Sequence, residues 1–415
     1  MNEIKLRTGY DAAVTKSKRI MVDMLINLVG TGFPLVVLQL IIYPIVAQKI
    51  SVDAYGQMQS AMSLVYLVGG TLGGALSTTR LIRAADYREN DVCGDYPFLL
   101  WGSAALAVIL VPIIARCVLG IHTVTAILLT TVIAVLNLLL NYVEVGFRLS
   151  LDYRGIFINK ILTCAGYLLG FGLFWYTLKW EFVFVGSYLA PLLHCVCKTN
   201  LIRERFVTTK LFRRTCKAFS DLNISTLLNK VLTYFDKLVL YPLLGGEAVA
   251  VYFAANIFGK LVIQVLEPIT NVILSYLSRE KSVSDGVWKM TVLTGAGFCA
   301  VMYFGCRVIS GPILSIFYPQ WAEQAMELIP IATLSLCISS FISILRPLTL
   351  KALTTSAQII INGVSVISYI GAMLFLVRSY GLMGACIALL FSYVVKLIVI
   401  LAYCLWSKYG NNEKR

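Results

Sequence analysis

Long apolar runs recur along this chain at nearly regular intervals, each about 20 residues, and polar positions gather in the short stretches between them. A run of that length, wound as a helix, matches a hydrocarbon core about 30 Å thick. Twelve such runs are legible, centred near Val36, Leu67, Val108, Val132, Leu168, Ala190, Thr233, Val262, Ala300, Leu336, Ile367 and Val394. The pattern predicts an all-α polytopic membrane protein of about twelve transmembrane helices. The connections between them are too short to hold a soluble catalytic domain.

The run around Thr233 breaks the apolar rule most clearly. Lys230 and Lys237 fall near its middle, and at about 100° per residue Asn223, Lys230, Tyr234, Lys237 and Tyr241 lie within about 40° of one line down the helix. Ionisable side chains at bilayer depth are expensive and face a bundle interior or a watery cavity. A cationic, tyrosine-bearing stripe therefore predicts a cavity for an anionic ligand. The competing reading is structural: Asp236 neutralises Lys237 locally, or the lysines snorkel toward the membrane surface.

The longest basic connection, Lys198 to Lys217, separates the chain into two groups of six runs. The expected organisation is a tail over 1–23, a six-helix bundle over 24–201, a basic linker over 202–221, a second six-helix bundle over 222–407 and a tail over 408–415. Similar stretches follow the first and seventh runs: Ser51-Val52-Asp53-Ala54-Tyr55-Gly56 and Gly245-Gly246-Glu247-Ala248, with Tyr252 close behind. Each puts an acid at the start of the next helix, where negative charge is favoured. The pair predicts an internal duplication with parallel repeats. Gly69, Gly70, Gly73 and Gly74 give the second run a flat face for close helix contact. Pro34, Pro44, Pro112, Pro191, Pro268 and Pro347 mark places where helices kink or hinge.

Charge fixes the orientation expected for this layout. Of 35 Lys and Arg, 26 fall in the tails and loops that share a side with both termini. Only Lys49, Arg116, Lys179, Arg307 and Arg378 fall on the other side, and Lys230, Lys237, Lys260 and Lys396 lie within runs. By the positive-inside rule both termini are cytoplasmic, and the first 20 or so residues read as a retained cytoplasmic tail. The net charge of +14 is then mostly topology and implies no nucleic-acid partner.

Three further helical faces carry polar chemistry. In the eighth run Asn256, Lys260, Glu267 and Asn271 lie within about 60° of one another; the competing reading makes Lys260 and Glu267 a structural pair inside the bundle. In the fourth, Asn137, Asn141, Glu144 and Arg148 share a face, and Glu144 with Arg148 forms an i,i+4 pair of the favourable order, read here as a structural pair. Arg346 ends the tenth run, shortly before Lys351, and Lys396 lies in the twelfth beside Tyr393. The bases Lys230, Lys237, Lys260, Arg148, Arg346 and Lys396 outnumber the acids Asp236, Glu144 and Glu267. Such a balance attracts phosphate or diphosphate, which Arg binds in a bidentate way. The candidate cavity residues are Lys230, Tyr234, Asp236, Lys237, Tyr241, Asn256, Lys260, Glu267 and Arg346. Asn141, Glu144, Arg148 and Lys396 are secondary. Most of the eleven cysteines sit within apolar runs as small hydrophobes, and His194, Cys195 and Cys197 lack a second cluster, so no metal is expected. No phosphate-binding Gly-x-x-x-x-Gly-Lys-Ser/Thr run and no nucleophile with an adjacent base appear, so neither a cofactor nor an enzyme activity is expected.

Ile50-Ser51-Val52-Asp53-Ala54-Tyr55-Gly56-Gln57, Tyr234-Phe235-Asp236-Lys237-Leu238-Val239-Leu240 with Tyr252-Phe253-Ala254-Ala255, and Tyr380-Gly381-Leu382-Met383-Gly384-Ala385, set in two six-helix halves, resemble the multidrug/oligosaccharidyl-lipid/polysaccharide exporter superfamily. Within it, the chain looks like the Wzx-type O-antigen and polysaccharide flippases. The resemblance implies a V-shaped transporter of the bacterial inner membrane working by alternating access. Its substrate would be an undecaprenyl-diphosphate-linked oligosaccharide for O-antigen and lipopolysaccharide biosynthesis. Membrane lipids, a polysaccharide polymerase and chain-length machinery are the other partners implied. Lys237 and Asp236 match the superfamily's charged position in the seventh span, whereas Lys230, Lys260 and Arg346 rest on helical geometry alone. Competing readings are a drug or metabolite antiporter, for which an acidic cavity would be expected, a membrane polysaccharide polymerase or glycosyltransferase, and a non-transporting scaffold.

Overall fold

The computed structural model describes residues 30–412 apart from 31, 91, 93, 151, 278–284, 353 and 354. The side chains of 258, 265, 267–269, 271–277, 285, 287, 350–352, 355, 356 and 405–412 also lie outside the described residues. The described chain is all helical. Ten of its helices are long and apolar enough to cross a membrane, which makes it a multi-pass membrane protein. Two of the ten are broken in line, at Gly245 (φ 85°) and Gly381 (φ 57°). A positive φ is a conformation glycine adopts without the steric cost other residues meet. Divided at these breaks, the helices fall one to each expected centre: α1 Gly32–Lys49, α2 Val52–Glu89, α3 Asp95–Cys117, α4 Val124–Leu149, α5 Tyr153–Thr177 and α6 Glu181–Lys198, then α7 212–244, α8 246–277, α9 Asp285–Phe317, α10 Ala322–Ala352, α11 355–380 and α12 382–412. α7 therefore begins inside the stretch expected to be linker.

Local chemistry accounts for the ends and irregularities. Ser51 caps α2 by accepting from the Ala54 amide at 3.3 Å, and Asp152 caps α5 through the Gly155 amide at 2.9 Å. The middle of α1 widens into a π-helical stretch over Val37–Ile42, a distortion that often marks functional positions. α4 is interrupted at Glu144 and resumes over Val145–Leu149.

At some contacts a glycine allows the helices to touch backbone to backbone, since a Cβ there would collide. On Gly69 it would lie 2.5 Å from Ala134 O, and on Gly73 2.5 Å from Leu138 O, which holds α2 against α4. On Gly166 it would lie 2.2 Å from Gly186 O, joining α5 to α6.

The two halves meet chiefly where α2 runs along the broken α7–α8 pair. At one end of this seam the two similar stretches come together. The Gly246 amide donates to Asp53 Oδ1 at 3.1 Å, and a Cβ on Gly56 would lie 2.0 Å from Gly246 O. Tyr55, Phe253, Tyr318 and Trp321 pack ring against ring nearby, edge-on, tilted or stacked. At the other end the connection between the halves is strapped to the first half. Arg80 forks onto Glu204 and touches the Tyr142 hydroxyl. Buried Asp95 accepts from the Thr209 amide at 2.7 Å, from its hydroxyl at 2.5 Å and from Tyr87 at 2.5 Å.

Candidate functional site

The polar stripe on α7 faces α2, antiparallel and in register. From one end to the other, Gln57 Nε2 donates to the Tyr241 hydroxyl at 3.3 Å, and Ser60 Oγ donates to Lys237 O at 3.2 Å. Then the rings of Tyr66 and Tyr234 lie 5.2 Å apart, and Lys230 reaches Gly70. The stripe is the seam between the two halves.

Midway along the seam, α1, α2, α7, α8, α10 and α12 enclose a cavity of about 280 Å³. Its polar wall is formed by Gln39, Tyr66, Tyr234, Asp236, Lys237, Lys260, Gln264 and Tyr393. Asp236 organises this wall. Its Oδ1 accepts from the Lys237 amide at 2.9 Å and lies 4.0 Å from Lys237 Nζ, while its Oδ2 accepts from Lys260 Nζ at 3.2 Å. Asp236 and Lys237 are 1% and 5% exposed, so both charges are held away from bulk water. Two lysines and one carboxylate leave the cluster with one positive charge in excess. Lys260 thus pairs across to α7. The side chain of Glu267 lies outside the described residues, as does that of Lys351.

Across the cavity Gln39 Nε2 donates to Gln264 Oε1 at 3.1 Å, joining the π-helical part of α1 to α8. Tyr43 and Phe253 pack edge to face at 5.3 Å on the same wall. The described geometry brings Tyr234, Asp236, Lys237 and Lys260 together. Gln39, Gln264, Tyr43 and Tyr66 are lining residues that the charge pattern did not single out. The signal that could have found Gln39 is a lone amide at the centre of an otherwise apolar span.

The other candidates sit elsewhere. Lys230 crosses from α7 into the groove between α2 and α4. A Cβ on Gly70 would lie 2.8 Å from its Nζ, and one on Gly69 would lie 3.1 Å from Asn137 Oδ1. Asn141 donates to Asn137 Oδ1 at 3.2 Å in the same groove, and Lys230 Nζ lies 5.5 Å from the Tyr234 ring centre. Asn256 is buried on α8, donating to Tyr252 O at 2.8 Å. Glu144 does not pair with Arg148, which is exposed; the break in α4 turns its carboxylate to Lys160 Nζ of α5 at 2.7 Å. Arg346 is exposed near the end of α10, and Lys396 is partly buried on α12. His194 stacks on Phe147 and contacts Asn159, and no group of three potential metal ligands occurs among the described residues.

Gly70 offers a test of the Lys230 placement. Gly70→Ala meets only the end of a flexible side chain, so the fold is expected to persist while the ammonium is pushed out of the groove. If Lys230 contributes a charged hydrogen bond to transport, the rate should fall about tenfold. Gly74→Ala, with nothing within 4 Å of its Cβ, should have no effect. Transport rates normalised to membrane protein level check this, and equal rates for both variants would show that the position of Lys230 is immaterial.

The fold is similar to that of solved membrane transporters at low sequence identity. A solved structure of the lipid II flippase MurJ in an inward closed conformation aligns with a TM-score of 0.70 at 15% identity, covering 94% of this chain and 87% of that one. A mutant form of the Vibrio cholerae MATE transporter VcmN gives a TM-score of 0.57 at 13% identity, covering 94% and 96%. A MOP superfamily transporter from Pyrococcus furiosus, described by the reversed polarity of its binding pocket, gives 0.52 at 14% identity, covering 94% and 95%. No protein-family model and no curated protein sequence matches the chain.

Proposed function

We propose that this protein is a flippase that carries an undecaprenyl-diphosphate-linked oligosaccharide, an O-antigen or related polysaccharide repeat unit, across the bacterial inner membrane. The observation that carries this reading is the Lys237–Asp236–Lys260 cluster, an excess positive charge buried at bilayer depth among tyrosines. A diphosphate supplies the missing negative charge and enough oxygens to engage both ammonium groups. Tyr66, Tyr234 and Tyr393 offer flat faces to sugar rings and hydroxyls to their edges. Asp236, the only carboxylate lining the cavity among the described residues, is already held by two lysines. That arrangement disfavours exchange of protons for cationic drugs.

A cavity of about 280 Å³ is too small for an oligosaccharide, since drug-sized ligands already occupy roughly 300–1,000 Å³. Transport of such a substrate therefore needs this cavity to widen between the helices that line it. The test is movement of an undecaprenyl-diphosphate oligosaccharide between leaflets of proteoliposomes. Protein-dependent movement supports the reading. An intact, folded protein that leaves the lipid in place, while exchanging a cationic drug, would replace it with an antiporter.

A further inference from the structure

The central cavity holds uncharged polar chemistry beside its lysines. Gln39 of α1 and Gln264 of α8 both line it, and Gln39 Nε2 donates to Gln264 Oε1 at 3.1 Å. That bond uses a donor of one amide and the acceptor of the other, and it leaves the oxygen of Gln39 over. Gln39 is 8% exposed, and its Oε1 is buried with no hydrogen-bond partner among the described residues. A buried acceptor without a donor costs stability, and proteins seldom keep one. Packing does not call for it either, since Leu35, Leu38 and Ile263 fill neighbouring parts of the same wall with apolar groups. The amide sits in the π-helical stretch Val37–Ile42, where α1 is already distorted.

Position ties the amides to the charges. Gln264 follows Lys260 by four residues on α8, one helical turn or about 6 Å, and both face the cavity. Lys260 is held on Asp236 at 3.2 Å. A phosphoryl group at Lys260 therefore places whatever is bonded directly to it at the amide pair. In a diphosphate-linked oligosaccharide that group is the first sugar. The tyrosine faces on this wall can stack on any sugar ring and tell few apart. A buried acceptor discriminates far better, because a sugar lacking the matching donor leaves it unpaired.

We propose that Gln39 is the specificity-determining residue of the cavity, its Oε1 accepting a hydrogen bond from the sugar attached directly to the diphosphate, through a hydroxyl or an acetamido N–H. Gln264 is a positioning residue that holds the Gln39 amide in place. The inference rests on the proposed function for the class of lipid, and adds which side chain reads the sugar.

The test is binding by the intact protein in phosphatidylcholine nanodiscs, with three probes: undecaprenyl diphosphate, and the same lipid carrying one glucose or one N-acetylglucosamine. Gln39→Leu should weaken binding of a sugar-bearing lipid about tenfold and leave the bare diphosphate unchanged. A loss confined to N-acetylglucosamine assigns the donor to the acetamido N–H; a loss with both sugars, or with glucose alone, assigns it to a hydroxyl. Gln39→Leu leaves Gln264 without its donor, so Gln39→Leu with Gln264→Leu is measured beside it. The double variant removes both amides together, orphans neither, and is expected to fold and to show the same sugar-dependent loss. Unchanged affinity for both sugar lipids in both variants, or an equal loss with all three probes, overturns the role of Gln39. In that case weaker binding of the bare diphosphate by Lys237→Gln leaves the proposed function standing. An intact protein that binds none of the three lipids overturns both.

Discussion

Lys237→Ala is expected to reduce lipid movement to the background of protein-free liposomes while leaving the protein inserted at its normal level. Insertion should be unharmed because a lysine at the centre of a span opposes it by about 2.5–3.5 kcal/mol. The function is lost for a different reason. The Lys237 ammonium is 5% exposed, lies 4.0 Å from Asp236 Oδ1 and sits over the Phe253 ring at 5.9 Å from its centre. Removing it leaves Asp236 and Lys260 as a neutral pair, with no charge left over for a diphosphate. Surface polysaccharide in cells lacking the native gene, together with leaflet exchange in proteoliposomes, measures this. Normal polysaccharide with Lys237→Ala would remove Lys237 from the site.

Asp236→Asn is expected to damage the fold itself. Removing one partner of a buried ion pair costs roughly 3–5 kcal/mol, because the remaining charge stays buried without compensation. Here two ammonium groups would be left facing each other. The expected result is a large fall in the thermal unfolding midpoint and in the amount of protein recovered from membranes. Asp236→Asn combined with Lys260→Gln removes one charge of each sign and should recover much of the stability. Since Lys237 then stands alone, diphosphate binding should weaken in the recovered protein. A single Asn variant as stable as the intact protein would show that the cluster is wet enough to need no internal counter-charge.

The periodicity of hydrophobic positions carried most of the fold, because a bilayer imposes one length and one composition on every span. The closest junctions, at Gly245 and Gly381, are breaks of a single residue, and glycines marked both in the sequence. The stripe on α7 was legible because 100° per residue holds along a straight helix. Its partner was not. That Lys237 and Tyr234 face α2, and that Lys230 fits over Gly70, depends on glycine contacts between helices far apart in sequence. Pairing was the least legible property. Glu144 with Arg148 is favourable within one helix, yet Glu144 binds Lys160, and the contact of Lys260 with Asp236 across to α7 was not foreseen. Tertiary neighbours supply a shorter, more buried contact than the next turn does, and sequence spacing cannot rank the two. Gln39 and Gln264 were inconspicuous for a related reason: an uncharged amide stands out only once its partner is known.

The single-residue breaks at Gly245 and Gly381 have a bearing on how the molecule meets its surroundings. On the face opposite the termini the described helices are joined only by residues 50–51, 118–123, 178–180, 245, 318–321 and 381. Almost nothing protrudes there for an antibody, a phage or a protease to grip. An epitope tag inserted at position 245 or 381 would have to split a continuous rod, whereas 118–123 offers a natural place for one. A label placed on that face is therefore best tolerated in the six-residue turn 118–123.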